Sequence, residues 1–401
     1  MVSATGYEID IATLRALLAP EGQNLLAELA GQRVDETTIL GLSSRLRQGH
    51  TPGLVAAALE TSLLRQRAQK FTRADRMYFT RQALEQASAE VISRHRAVRL
   101  SRYELALDLG CGIGGDALAL AAHTRVVAVD LNPVRLLMTA ANGDAYGVSA
   151  HLQPLRADML ALPLRPGLPF WADPARRAGE RRLFRLQEYF PPLPPLLALA
   201  ARAPGAGIKL SPGVDYDELA ALLGTTPYEV EIISVQGEAR EAALWLGELR
   251  TTARRATLLP GGHTLTADRP AGRPALTTPG RYLYEPDAAV IRAHLVEQLA
   301  ALMGAAKIED EIAYLTTDSL VETPFARAYR VIEWMPFNLK QLNRRLREMN
   351  IGELIVKKRG FAVDPEQFRR RLNYGGGTAK VVLVLTHVLG KPTAILGEPI
   401  P

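Results

Sequence analysis

The chain has 401 residues, 47% of them hydrophobic, enough for two or three domains with filled cores. No apolar run approaches the ~20 residues that a membrane-spanning helix needs, and residues Met1 to Asp10 lack a basic segment followed by an apolar one, so a cytoplasmic protein is expected. Cys111 is the single cysteine and the seven histidines are scattered, which excludes an internal disulfide and argues against a metal site.

Residues 1–100 show helical periodicity throughout, with Asp35 to Leu40 and Phe79 to Ala87 as amphipathic segments. A helical N-terminal domain is expected there. Within it, Lys70 to Arg81 mixes basic and aromatic residues; core packing of Tyr78 and Phe79 is favoured over stacking on a base.

Leu105 to Leu109 reads as a strand, the glycines after it as a turn into a helix, and Val126 to Asp130 as a second strand that ends in a carboxylate. Gly110, Gly112 and Gly115 fit the G-x-G-x-x-G spacing, in which missing side chains let a ligand approach the backbone at a helix N-terminus. Asp130 stands where a carboxylate accepts hydrogen bonds from ribose hydroxyls. Asp108 separates two cofactor classes. A second carboxylate would be repelled by a dinucleotide's pyrophosphate, whereas S-adenosylmethionine brings a sulfonium and an ammonium, so S-adenosylmethionine is favoured over NAD.

These residues resemble the class I S-adenosylmethionine-dependent methyltransferases over roughly Tyr103 to Leu265. The resemblance implies that Asp108, Gly110, Gly112 and Gly114 form the cofactor loop and that Asp130 binds the ribose. It further implies that Asp158, after a third strand near His151 to Leu155, faces the adenine amino group; capping a helix is the alternative for this residue.

Leu168 to Ala172 reads as a fourth strand leading into Asp173 and Pro174, at the carboxyl edge where open α/β sheets hold their chemistry. In family members that methylate exocyclic amines of bases, an acid, amide or serine is followed by two prolines and an aromatic that stacks on the base. Here Ala175 and Arg176 replace the second proline and the aromatic, so stacking would need another platform. Asp173 and Pro174 are the catalytic candidates, as acceptors that position an amine, with plain turn chemistry after a strand as the alternative. Arg176 and Arg177, followed by Arg181, Arg182 and Arg185, are candidates to hold phosphates, with helix capping or pairing to Glu180 and Glu188 as the alternative. Phe190 to Pro195 interrupts the domain as a gating loop or a helix entry.

Gly207 to Leu210 reads as a fifth strand, with Lys209 as a candidate substrate contact and a lysine satisfied at the rim as the alternative. Val230 to Val235 and Ala256 to Leu259 flank a stretch expected to be helical to about Arg250, and the two strands match the family's terminal reversed hairpin. Gly261 to Pro279 looks like a linker. Beyond it, helices are expected at 289–302 and 339–349, and strands at 329–334, 353–356 and 381–386.

Charge is concentrated in this last part. Lys340 to Lys380 holds eleven Lys and Arg against four Asp and Glu, or +7, which leaves −1 for the rest of a chain whose net charge is +6. Such concentration fits a phosphate-binding surface, with Arg344, Arg345, Lys357, Lys358 and Arg359 as candidate substrate contacts and a solvated helix face as the alternative.

The chain also looks like a bacterial relative of the trimethylguanosine synthases and resembles bacterial methyltransferases with a THUMP-like C-terminal domain, through Glu238 to Trp245 and Ile351 to Phe361. THUMP domains are RNA-binding modules, so this resemblance implies an RNA substrate, rRNA or tRNA. The expected architecture is α/β: a helical N-terminal domain over 1–100, a Rossmann-like class I methyltransferase domain over 101–270, and an α+β THUMP-like domain over 281–401. The expected activity is methyl transfer to a base nitrogen in RNA. A small-molecule methyltransferase and a non-catalytic RNA-binding protein with this cofactor fold are the alternatives.

Overall fold

The computed structural model describes residues 8–162, 167–176, 186 and 189–400, with backbone alone at 175, 176 and 365. The chain divides into two compact units, residues 1–228 with 243–251, and residues 229–242 with 252–401.

The first unit opens with helices α1 (Ile11–Leu18), α2 (Pro20–Leu29), α3 (Ile39–Leu46), α4 (Pro52–Arg67), α5 (Arg81–Gln86) and α6 (Glu90–Leu100). Their starts are written locally: the Asp10 carboxylate caps α1 by accepting from the Thr13 N–H, Thr80 caps α5, and Pro20 and Pro52 stand in the first turns of α2 and α4. Asp35 to Thr38, expected within a helix, instead forms the turn that precedes α3. Tyr78 and Phe79 are buried, as the packing reading expected.

Then follow β1 (Leu105–Leu109), α7 (Gly115–Ala121), β2 (Arg125–Asp130), α8 (Pro133–Tyr146), β3 (Leu152–Arg156), β4 (Phe170–Ala172), the short pair β5 (Ala175–Arg176) and β6 (Tyr189–Phe190), α9 (Leu193–Ala200), β7 (Gly205–Leu210) and α10 (Tyr216–Leu223). The sheet of this unit runs β3-β2-β1-β4-β7, every neighbouring pair parallel. Chain order reverses between β1 and β4, and the carboxyl ends of these two strands open a crevice of the kind where doubly wound sheets bind ligands. The helical preface shares one apolar core with this domain: Leu14, Leu17 and Leu63 belong to the same buried cluster as Ile113, Ala117 and Trp171. Trp171 and Trp245 pack with ring centroids 5.5 Å apart, and a Cβ at Gly207 would lie 2.6 Å from both rings.

The second unit holds β8 (Tyr228–Val235, from Glu229 onward), the start of β9 (Glu238–Gly247), β10 (Arg254–Leu259) and β11 (His263–Thr266); β9 passes into the first unit at Ala243. Two expectations are corrected here. The stretch expected to be helical is strand β9. Its helix-favouring Glu and Ala residues are overridden because Glu241 to Leu246 are buried without interruption, which no one-sided helix allows. Nor do β8 and β10 form a reversed hairpin: they pair in parallel, and the tight turn at Gln236 and Gly237, both with positive φ, joins β8 to β9 instead.

A seven-stranded sheet completes this unit, in the order β13 (Ala306–Lys307), β14 (Leu315–Thr317), β12 (Tyr282–Pro286), β15 (Ala326–Pro336), β18 (Lys391–Pro399), β17 (Ala379–Val388) and β16 (Ile351–Lys358). Only the β16–β17 pair is parallel. Strand alternation divides β17: Val381, Leu383 and Leu385 meet Leu342 and Phe368 from α13 (Leu339–Glu348) and α14 (Pro365–Arg369), while Val382 and Val384 pack with Tyr314 and Tyr329. The helix expected over 289–302 is broken into α11 (Ala288–Arg292) and α12 (Val296–Met303) where His294 adopts φ of 54°.

Candidate cofactor and substrate site

A cavity of about 310 Å³ opens at the carboxyl ends of β1, β4 and β7. Asp108, Gly110 to Ile113, Asp116, Asp173, Pro174 and Lys209 line it, together with Ala83, Gln86, Ala87 and Ser88 from the helical preface.

Asp108 is 1% exposed, and neither of its carboxylate oxygens meets a hydrogen-bond donor at bonding geometry. Burial pushes its pKa well above the ordinary carboxylate range; the Asp116 and Asp173 carboxylates add to this and the Arg96 guanidinium opposes it. A buried carboxylate without a donor, facing a cavity, is matched by an ammonium group such as the one S-adenosylmethionine carries.

The glycine loop is shaped by its neighbours. Gly110 has φ of 83°, and a Cβ there would come within 3.0 Å of the Met159 methyl and 3.3 Å of the Asp173 carbonyl oxygen. Gly114, φ 88°, begins the turn into α7 and would press a Cβ against Thr139, but it does not line the cavity. The Gly112 carbonyl accepts from the Thr139 hydroxyl at 2.9 Å, and its N–H donates to the Asp130 carboxylate at 3.0 Å. Asp130 also accepts from the Asn132 N–H, so this acid organises the loop, although it lies outside the cavity wall itself.

Asp158 is exposed and outside the cavity wall; its carboxylate accepts from the Leu160 N–H at 2.9 Å, which closes a turn rather than capping a helix. Its neighbour Met159 is the residue that reaches Gly110. Cys111 is buried, and burial together with the nearby Asp108 and Asp130 carboxylates pushes its thiol pKa well up, so it is not a poised nucleophile.

On the substrate side, the Asp173 N–H donates to the Leu109 carbonyl at 3.2 Å, which ties the end of β4 to β1. The Asp173 carboxylate pairs with the Lys209 ammonium at 2.9 Å, and Lys209 also donates to the Gln86 carbonyl at 3.4 Å. Beneath them Arg96, 2% exposed on α6, ion-pairs with Asp116 and stacks over the Trp171 ring at 4.3 Å. Gln86, Ser88 and Tyr189 carry no spacing signal that sequence reasoning could use, because they reach the cavity from outside the glycine-loop segments.

The backbone of Arg176 lies in β5, paired with Tyr189, while Arg177, Arg181, Arg182 and Arg185 fall outside the described residues. In the second unit, Arg344 and Lys358 are exposed. Arg345 pairs with Glu333 and Glu348, and Lys357 and Arg359 surround Glu285, so these three are already engaged. Among the described residues no group of three or more His, Cys, Asp or Glu side chains is placed to hold a metal ion, and no described helix is long and apolar enough to cross a membrane.

Comparison with known proteins agrees with this geometry. Residues 103–182 match the family described as RNA cap guanine-N2 methyltransferase, residues 326–399 match the THUMP domain-like family, and residues 10–68 match a domain of unknown function. A solved structure, a putative methyltransferase from Porphyromonas gingivalis W83, shares the fold with a TM-score of 0.73 at 20% identity, covering 92% of this chain and 99% of that one. An uncharacterized S-adenosylmethionine-dependent methyltransferase of Mycobacterium tuberculosis, found in strains H37Rv and CDC 1551, is 36% identical over 339 residues, covering 81% of this chain and 91% of the relative. The chain belongs to that family: it is an S-adenosylmethionine-dependent methyltransferase with a THUMP-like C-terminal domain.

Proposed function

We propose that this methyltransferase modifies a nitrogen of a base in RNA. The observation that carries the reading is the position of Asp173, whose carbonyl stands against Gly110 of the cofactor loop and whose carboxylate lines the same cavity as Asp108. Acceptors placed there suit a nucleophile that carries N–H hydrogens. S-adenosylmethionine supplies an already activated methyl group, so alignment is the main demand on the protein. Asp108 would hold the ammonium, the Gly110 to Gly112 backbone would approach the nucleoside, and Asp130 would fix the loop. Asp173 and Pro174 would orient the amine through their oxygens, and the Asp173 carboxylate would receive the proton that the nitrogen gives up.

Support for RNA comes from the families matched at 103–182 and 326–399, and from the concentration of positive charge at Lys340 to Lys380. The exposed Arg344 and Lys358 are proposed to meet phosphates.

The test is to incubate the purified protein with tritiated S-adenosylmethionine and total RNA from a strain that lacks it. Label in one discrete RNA, lost in Asp173→Ala, is expected. Absence of label despite measurable cofactor binding would refute an RNA substrate.

A further inference from the structure

Ser88 stands between α5 and α6, 3% exposed, and its hydroxyl meets no hydrogen-bond partner among the described residues. It lines the same cavity as Asp108, whose two carboxylate oxygens are likewise unmet. The segment that carries Ser88 is pinned on both sides. The Gln86 carbonyl accepts from the Lys209 ammonium at 3.4 Å, and the Ala87 carbonyl accepts from the Lys70 ammonium at 2.5 Å. The segment also rests on the start of α7, where a Cβ on Gly115 would touch the Ala87 methyl at 3.8 Å. A buried hydroxyl left unpaired disfavours the fold that holds it, and a partner that arrives with a ligand recovers that cost.

We infer that Ser88 completes the cofactor site from the helical preface, its hydroxyl donating to the carboxylate at the amino-acid end of S-adenosylmethionine. The inference rests on the proposed hold of Asp108 on the cofactor's ammonium and is independent of which molecule is methylated. In an amino acid the ammonium nitrogen and the carboxylate carbon are bonded to one carbon and stand about 2.5 Å apart. A site that meets the first with an acceptor therefore has to meet the second with a donor close by. Three carboxylates on the wall, Asp108, Asp116 and Asp173, repel an incoming anion, which sharpens that need. The charged donors of this wall are engaged: Arg135 donates to the Gln82 carboxamide at 3.2 Å, and Lys209 pairs with Asp173. The Ser88 hydroxyl is not engaged.

Asp108 from β1 and Ser88 from the preface then recognise the two ends of a zwitterion. A neutral donor suits the task, because a lysine or arginine in its place would set a positive charge near the cationic sulfonium that the acidic wall attracts. A hydroxyl placed in this way discriminates between ligands that share the nucleoside. One that lacks the carboxylate leaves the buried hydroxyl unpaired in the complex and binds more weakly. The preface is thus part of the cofactor site as well as packing support for the domain beside it.

The experiment measures dissociation constants of the full chain by calorimetry for three ligands: S-adenosylmethionine, S-adenosylhomocysteine, and decarboxylated S-adenosylmethionine, which keeps the ammonium. The unaltered protein is expected to bind the decarboxylated form roughly tenfold more weakly than S-adenosylmethionine. Ser88→Ala is expected to weaken the two carboxylate-bearing ligands roughly tenfold and to leave the decarboxylated form within about twofold of its value. Without cofactor, Ser88→Ala should melt no lower than the unaltered protein, since it removes an unpaired hydroxyl. Equal affinity of the unaltered protein for both forms of the cofactor, an unchanged affinity of Ser88→Ala for S-adenosylmethionine, an equal loss for all three ligands, or loss of the fold in that variant overturns the inference and leaves the role of Asp108 standing. Asp108→Asn with the same ligands reports on that role separately. It should weaken all three, and unchanged binding there overturns the hold on the ammonium and the inference together.

Discussion

The side-chain amide of Asn142, wholly buried on α8, grips Tyr78 at both backbone ends: its oxygen accepts from the Tyr78 N–H at 2.7 Å and its nitrogen donates to the Tyr78 carbonyl at 3.1 Å. The same nitrogen donates to the Ile113 carbonyl at 2.9 Å. One residue thus ties the helical preface to the cofactor loop. Asn142→Ala strands three backbone groups, and a loss of roughly 2–4 kcal/mol of stability is expected in denaturant unfolding. Weaker cofactor binding, read by calorimetry, should accompany it.

Asp108 makes cofactor binding proton-linked. Its pKa is raised in the free protein, and a bound ammonium favours the charged form, so binding releases a proton. Affinity should therefore rise with pH through the pKa of Asp108, until the cofactor's own amino group begins to deprotonate above about pH 8. The effect on folding has the opposite sense. A carboxyl whose folded pKa is raised stabilises the fold below its unfolded value and loses that contribution as pH rises through the folded value. Asp108→Asn should then leave the cofactor-free protein more stable at neutral pH, by thermal melting, while binding is lost.

Gly207 lies under two tryptophans. A methyl group there would sit 2.6 Å from Trp171 and Trp245, both wholly buried, so Gly207→Ala must displace ring atoms in a packed core. A destabilisation of about 3 kcal/mol is expected from denaturant unfolding.

How far the site is legible in the sequence follows from where its residues lie in the chain. Asp108, Gly110, Gly112 and Asp130 fall within 23 residues, in a strand-turn-helix-strand with a legible spacing; the first three line the cavity and Asp130 bonds the Gly112 N–H behind it. The substrate side is assembled from segments without such spacing. Gln86 and Ser88 enter from the preface and Tyr189 from a two-residue strand, so no local pattern foretells them. Strand β9 is hidden in the sequence for a related reason: its local composition favours a helix, and only burial on both faces reveals a strand. The charge run of Lys340 to Lys380 was legible as composition, but composition does not show that Arg345, Lys357 and Arg359 already pair within the unit.

That distinction makes a prediction about the basic residues. Arg344 and Lys358 are exposed. On the proposed function, the double variant Arg344→Ala, Lys358→Ala should weaken RNA binding uniformly across sequences and reduce the salt slope of log K by up to about 2, measured by filter binding at several salt concentrations. Thermal stability should change little, since neither side chain is buried.

The most direct test pairs two measurements on the unaltered protein, Asp108→Asn and Asp173→Ala: the dissociation constant for S-adenosylmethionine and the transfer of its tritiated methyl group to RNA. The account predicts that Asp108→Asn loses binding and transfer together, whereas Asp173→Ala binds the cofactor and fails to transfer. Transfer by Asp173→Ala at the rate of the unaltered protein would contradict the role of the Asp173 carboxylate in orienting the amine and receiving its proton.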